Sequence, residues 1–276
     1  MTKRVSGRSA QAAEAAAQAA EAAARAAEAA AQAAEAAARA AEAAARAAEF
    51  VAASGTAADR AALAAFTGRG GLDRVAEALG PPPDDLPAFR RALRLFDDLD
   101  ALDHPFVQGI ARDLDRLQAE DGHWGEDAED AIFDTGTLGG HLAKAPSASA
   151  RLLDAAGDWL AARFSPERVQ GFQWRGVAAY AHLFANLSHE KTDEILQWCG
   201  RELERGFRAR RFDAVHTARV LVWCGAPCLP GARFEGAELL EALLIEQAAD
   251  GGYGTRDRLR CSWDAMVALV NLAHTG

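Results

Sequence analysis

The carboxylates, imidazoles and thiols of this chain that could do chemistry fall into a few short stretches. Glu126-Asp127-Ala128-Glu129-Asp130, followed by Asp134-Thr135, is a dense acidic run. A carboxylic acid in a dry pocket can donate a proton when its neighbours tune it. The simpler reading of Glu126 to Asp130 is an acidic turn ahead of a helix, where negative charge suits the positive end of the helix dipole. Phe212-Asp213-Ala214-Val215-His216-Thr217 sets Asp213 and His216 three residues apart, and Arg260-Cys261-Ser262-Trp263 adds a thiol. Asp97-Asp98-Leu99-Asp100 with Asp103 reads as the charged side of a solvated helix, and Cys224 and Cys228, with three residues between them, read as ordinary thiols. No glycine loop for phosphate and no nucleophile–base pair stands out.

These residues must be carried by helices. Of the 276 residues 69 are alanine, so the apolar half of the composition contains little bulk, and the core has to come from Leu, Val, Phe and six Trp. The net charge of −10 gives the chain nothing to gain at phosphates, so nucleic acid is not an expected partner. No run of 18 uncharged apolar residues exists, so no membrane span is expected. Charges every three or four residues argue against a signal peptide at the basic start, and four cysteines are too few for a disulfide scaffold; the cytoplasm is the expected location.

Residues 1–9 read as a basic tail and 10–52 as a single helix of seven-residue Ala/Glu/Gln/Arg repeats. Glu21–Arg25, Glu35–Arg39 and Glu42–Arg46 are i,i+4 pairs along it. Its opposite seam, Ala16, Ala23, Ala30, Ala37 and Ala44, bears only methyl groups, which suits a spacer that projects from the rest or a weak coiled coil. On that reading, deleting residues 1–49 leaves the remainder folded. Residues 53–85 form a connector broken by glycines and by Pro81-Pro82-Pro83. From 86 to 276 the periodicity gives helices over 86–102, 106–119, 133–145, 149–164, 174–187, 191–206, 213–225, 235–248 and 262–274, with no strand pattern; the fold class is all-α.

One motif occurs twice, 129 residues apart, as three units of 43: Gln118-Ala-Glu-Asp-Gly122-His-Trp124-Gly125 and Gln247-Ala-Ala-Asp-Gly251-Gly-Tyr253-Gly254. The glycines let the backbone reverse after a helix, the glutamine amide can satisfy orphaned backbone groups, and the aromatic plugs the space between helix pairs. This arrangement resembles the QW-type repeats of terpenoid cyclases and protein prenyltransferases, the α/α-toroid superfamily, over residues 106–276. The resemblance implies a toroid of helical hairpins, complete or partial, preceded by the Ala-rich helix, with an inner ring around a cavity for isoprenoids.

In class II cyclases of that superfamily an Asp-x-Asp-Asp-Thr string opens an inner helix, and its central Asp is the acid. The matching place here is Ala131-Ile132-Phe133-Asp134-Thr135, with Phe133 where the acid would stand; Asp130 and Asp134 are the nearest candidates. The prenyltransferase zinc site finds a counterpart in Asp213 and His216, but the Cys261 segment follows rather than precedes them and Leu259 replaces the Asp ligand, so no metal and no other cofactor is expected. If 133–145, 174–187, 213–225 and 262–274 are inner helices, then Asp134, His141, Trp174, Arg175, Tyr180, His182, Asp213, His216, Arg219 and Trp263 lie on or near the cavity, lining either an orienting pocket or equally a plain hydrogen-bonded polar centre. The reading that follows is a toroid-repeat protein without standard cyclase or prenyltransferase chemistry. It would act as a binding or assembly module for an isoprenoid, another hydrophobic molecule or a protein partner, self-association through the Ala-rich helix included. The competing reading is an enzyme acting on an isoprenoid with a non-standard acid. Convergence of Asp130, Asp134 and His216 in one pocket favours the enzyme, and their dispersal favours the module.

Overall fold

The structure is a computed structural model that describes residues 3–81, 85–126, 128–171 and 173–275. Pro82, Pro83, Asp127 and Phe172 lie outside the described residues, as do the side chains of Ala16 and Glu129. All regular structure among the described residues is helical, in thirteen segments. These are α1 (Lys3–Ser54), α2 (Ala57–Phe66), α3 (Leu72–Leu79), α4 (Leu86–Asp98), α5 (Pro105–Leu117), α6 (Ala128–Lys144), α7 (Ala150–Ala162), α8 (Pro166–Gly171), α9 (Gln173–Asn186), α10 (Thr192–Arg208), α11 (Ala214–Cys224), α12 (Gly236–Glu246) and α13 (Arg258–Thr275). Among the described residues no helix is long and apolar enough to cross a membrane.

Capping residues set many of the boundaries. Asp85, Ser149 and Asp213 each accept a backbone N–H at the start of α4, α7 and α11. Thr56 and Asp59 form a reciprocal capping box on α2. Two helices pass unbroken through expected boundaries. Helix α1 begins at Lys3, inside the stretch read as a tail, and α6 begins at Ala128, inside the acidic run read as a turn.

Five helices pack in series, α4 on α6, α6 on α9, α9 on α11 and α11 on α13. Behind them α5 lies against α4, α7 against α6, α10 against α9, α12 against α11 and α1 against α13. Helix α2 touches both ends of the series. Phe66 meets Trp263 of α13 edge-on at 6.0 Å, and Asp59 pairs with Arg91 of α4 at 2.8 Å.

The two Gln-containing turns make the same bonds. The Gln118 amide donates to the Gly122 carbonyl and to the Leu152 carbonyl of α7, both at 2.9 Å. The Gln247 amide donates to Gly251 at 3.0 Å and to Ala43 of α1 at 2.8 Å. Gly122 and Gly251 both have positive φ, 101° and 85°. A Cβ on the first would lie 2.3 Å from the Ala155 carbonyl oxygen, and on the second 2.5 Å from that of Arg46. Only glycine can bring the turn so close to the next helix. Leu152 and Ala155 of α7 thus correspond to Ala43 and Arg46 of α1, so α1 fills against the second turn the place that α7 fills against the first. Trp124 and Tyr253 are both buried, and each donates its backbone N–H to a hydroxyl of the following helix, Thr135 or Ser262.

This corrects the expectation of a free spacer. Residues 17–32 of α1 are exposed, but Ala40, Ala43, Ala44, Ala47 and Val51 are buried. Of the expected seam, Ala23 and Ala30 are exposed, Ala37 is half-buried and Ala44 is buried. The Glu21–Arg25 pair forms at 2.5 Å, but Arg39 binds Glu241 of α12 at 2.6 Å and Arg46 binds the side-chain oxygen of Gln247. Neighbours in space displace the helix-internal partners because they come with a packed interface.

Gln118→Ala and Gln247→Ala are each expected to lower unfolding free energy by about 1–3 kcal/mol, because two carbonyls at a tight turn lose their donor. Urea unfolding of both variants checks this, and the two losses should be alike.

Candidate functional site: a cavity lined by arginines and aromatic rings

A cavity of about 390 Å3 lies among α1, α2, α4, α6, α9, α11 and α13. Its wall includes Arg90, Arg91 and Arg94 of α4, Phe133, Thr137 and His141 of α6, Trp174 of α9, His216, Arg219 and Trp223 of α11, and Arg260, Trp263 and Asp264 of α13. Five arginines face it, against the aspartates Asp59, Asp257 and Asp264, although the chain as a whole is acidic. Arg90, Arg91 and Arg94 share one side of α4 because residues three and four apart lie on one helix face.

The guanidinium groups are fixed by ion pairs and rings. Arg90 pairs with Asp134 and lies 5.2 Å from the centre of the Phe133 ring. Arg260 pairs with Asp257 at 3.1 Å and lies 6.0 Å from the Trp174 ring. At the centre is a buried network. Arg219 donates to Asp98 Oδ2 at 3.0 Å, its other terminal nitrogen lies 2.7 Å from Oδ1 as an ion pair, and its Nε lies 3.5 Å from Asp264. Arg94 binds Asp264 at 3.1 Å, and the Trp263 indole donates to Asp98 at 2.7 Å. Two arginines and two aspartates thereby join α4, α11 and α13. Burial alone would lower the Arg219 pKa, but Asp98 and Asp264 overcome it and hold the group firmly charged. Arg94, buried with less compensation, is shifted down.

Beside this network Asp97 accepts from Lys144 at 3.0 Å and pairs with His141 Nδ1 at 2.9 Å. Burial pushes against its ionisation, yet His141 and Lys144 prevail and hold the carboxyl well below the usual range. Burial lowers the pKa of both His141 and His182; Asp97 opposes it at His141 without prevailing, and Lys144 and Arg219 push both imidazoles the same way as burial. Asp97 and Asp98 are therefore not the charge of a solvated face. The side chains of both are largely removed from water, at 13% and 2% exposure.

Of the residues expected on the wall, His141, Trp174, Arg219, Trp263 and His216 line the cavity. Arg175 does not; it pairs at the surface with Asp130 at 2.7 Å. Tyr180 turns away to meet Phe164 at 5.4 Å, and His182 sits behind His141, stacked on Trp223. The acid candidates disperse. Asp130 is exposed, Asp134 is buried against Arg90 off the cavity wall, and Asp213 caps α11 by accepting from the His216 backbone at 2.7 Å. The His216 ring also bonds Asp213 and stacks on Trp174 at 4.0 Å. The Phe133 ring carries the Arg90 and Arg175 guanidinium groups. All four cysteines are free, and the Cys261 thiol bonds the Arg256 carbonyl.

Sequence reasoning missed the arginines of α4. Their signal lies in the string Arg90-Arg91-Ala92-Leu93-Arg94, on a helix whose other face is Phe89, Leu93 and Phe96. No family model matches the chain, nor does any curated protein or solved structure at a significant level.

Proposed function

We propose that the chain is a helical-hairpin repeat protein of α/α-toroid type, similar to terpenoid cyclases and prenyltransferases, that acts as a binding module for an amphiphilic organic anion. One observation carries this reading: the cavity wall combines five guanidinium groups with the rings of Phe133, Trp174, Trp223 and Trp263. Rings receive an apolar body, and guanidinium forks recognise phosphate or carboxylate. Isoprenoid phosphates belong to this ligand class. Dispersal of Asp130, Asp134 and His216 favours a module over an enzyme, since among the described residues no carboxylic acid stands free on the wall. The exposed stretch of α1 at residues 17–32 is available to a protein partner or a second copy.

The test follows indole fluorescence, because three of the six tryptophans face the cavity. Dodecyl phosphate is expected to quench it saturably, with dodecanol and inorganic phosphate each at least about tenfold weaker, a difference of about 1.4 kcal/mol. Arg260→Ala should weaken dodecyl phosphate by about tenfold and leave dodecanol unchanged. Equal binding of dodecanol and dodecyl phosphate would refute the anionic part of the reading.

A further inference from the structure

Behind the cavity wall, three adjacent helices each contribute one side chain to a cluster that packing does not explain. Asp97 of α4, His141 of α6 and His182 of α9 bring one ligating atom apiece within 4.8 Å of one another. His182 is completely buried, and neither ring nitrogen has a hydrogen-bond partner among the described residues. Its ring stacks on Trp223 at 4.9 Å and 14°, and Gly140 admits it, since a Cβ there would lie 2.4 Å from the ring. A phenylalanine would fill that slot with no polar atoms to desolvate, so the imidazole calls for another reason.

We infer that Asp97, His141 and His182 form a binding site for a divalent transition-metal ion, zinc or a close relative, with its open coordination position toward the cavity. Two imidazoles and a carboxylate are a donor set suited to such ions. Both rings must be neutral to ligate, so uptake of the ion competes with protonation. Asp97 and His141 already meet at 2.9 Å, and a tetrahedral site separates its ligand atoms by about 3.4 Å, so shifts of about 1 Å bring the third ligand in. Lys144, on the Asp97 carboxylate, and Arg219 are the nearby positive charges that the ion must tolerate; Asp98, paired with Arg219, offsets the latter. His141 lines the cavity, so an ion on it is reachable from there. The ion would tie α4, α6 and α9 together. None of this depends on the ligand proposed above.

The test is cobalt titration of the chelator-stripped full chain. One equivalent of Co2+ should bind, with the visible absorption of a low-coordinate ion, and Zn2+ should displace it and raise Tm. His182→Gln and Asp97→Asn should each weaken binding by about 100-fold or more, while His189→Gln, outside both the cluster and the cavity wall, should not. If the variants do not fold, ring 15N shifts of the intact chain decide: two imidazoles should respond to one equivalent of Zn2+. Absence of stoichiometric uptake by the intact chain, or retention of binding in folded His182→Gln, would overturn the site.

Discussion

Removing residues 1–49 is expected to abolish cooperative unfolding, whereas removing residues 1–32 should leave Tm within a few degrees of the intact chain. The difference lies in the second part of α1. Ala40, Ala43, Ala44, Ala47 and Val51 are almost wholly buried, on a face that packs mainly against α13. At about 0.8 kcal/mol per carbon, the four alanine methyl groups lost with residues 1–49 are worth about 3 kcal/mol, and the surface they cover on α12 and α13 contributes again. Domain stability is only about 5–15 kcal/mol, so this interface is comparable with the whole. The Gln247 amide also loses its Ala43 acceptor, and Glu241 loses Arg39. Residues 17–32 bury nothing, and their loss removes only a self-supporting helix. Calorimetry of both truncations checks this. A 1–49 deletion that melts cooperatively near the intact chain would restore the free-spacer view of α1.

Arg219→Ala is expected to destabilise by about 3–5 kcal/mol, the cost of leaving buried carboxylates without their cation. Arg219 is 1% exposed, and among the described residues it is the sole ion-pair partner of Asp98, while Asp264 keeps Arg94. Arg219→Met combined with Asp98→Leu should cost less than the sum of the single changes, because the pair is removed as a unit. Chemical denaturation of the four proteins measures this coupling. A loss under about 1 kcal/mol in Arg219→Ala would show that water reaches the network.

What could be read from the sequence follows the range of the physics involved. Amphipathic periodicity and capping are local, so the nine helices expected after residue 86 lie within a few residues of α4 to α7 and α9 to α13, apart from the earlier starts of α6 and α13. The Asp98–Arg219 pair spans 121 residues, and no local pattern announces it. Asp97 and Asp98 beside Asp100 look like solvated charge, and only their partners on α6, α11 and α13 say otherwise. The docking of α1 was hidden for a different reason. An alanine face and an alanine flank differ by nothing that hydrophobicity can register. Two signals nonetheless pointed to it: the repeat changes to Phe50-Val51 just where burial is deepest, and the Gln247-to-Gly251 turn requires a neighbouring helix as the first turn does.

The interface between α1 and α13 also dictates an order of events. Its two sides are separated by more than 200 residues, so during synthesis α1 leaves the ribosome long before the surface it docks on exists. Closing so long a loop is entropically costly, and contacts of this separation slow folding. An exposed leucine face would be a hazard during that interval. A face of methyl groups flanked by Glu and Arg is helical by itself and has little to offer a passing chain. The low bulk of the alanine seam therefore suits a segment made well before the surface it docks on, one that has to stay innocuous until α12 and α13 arrive.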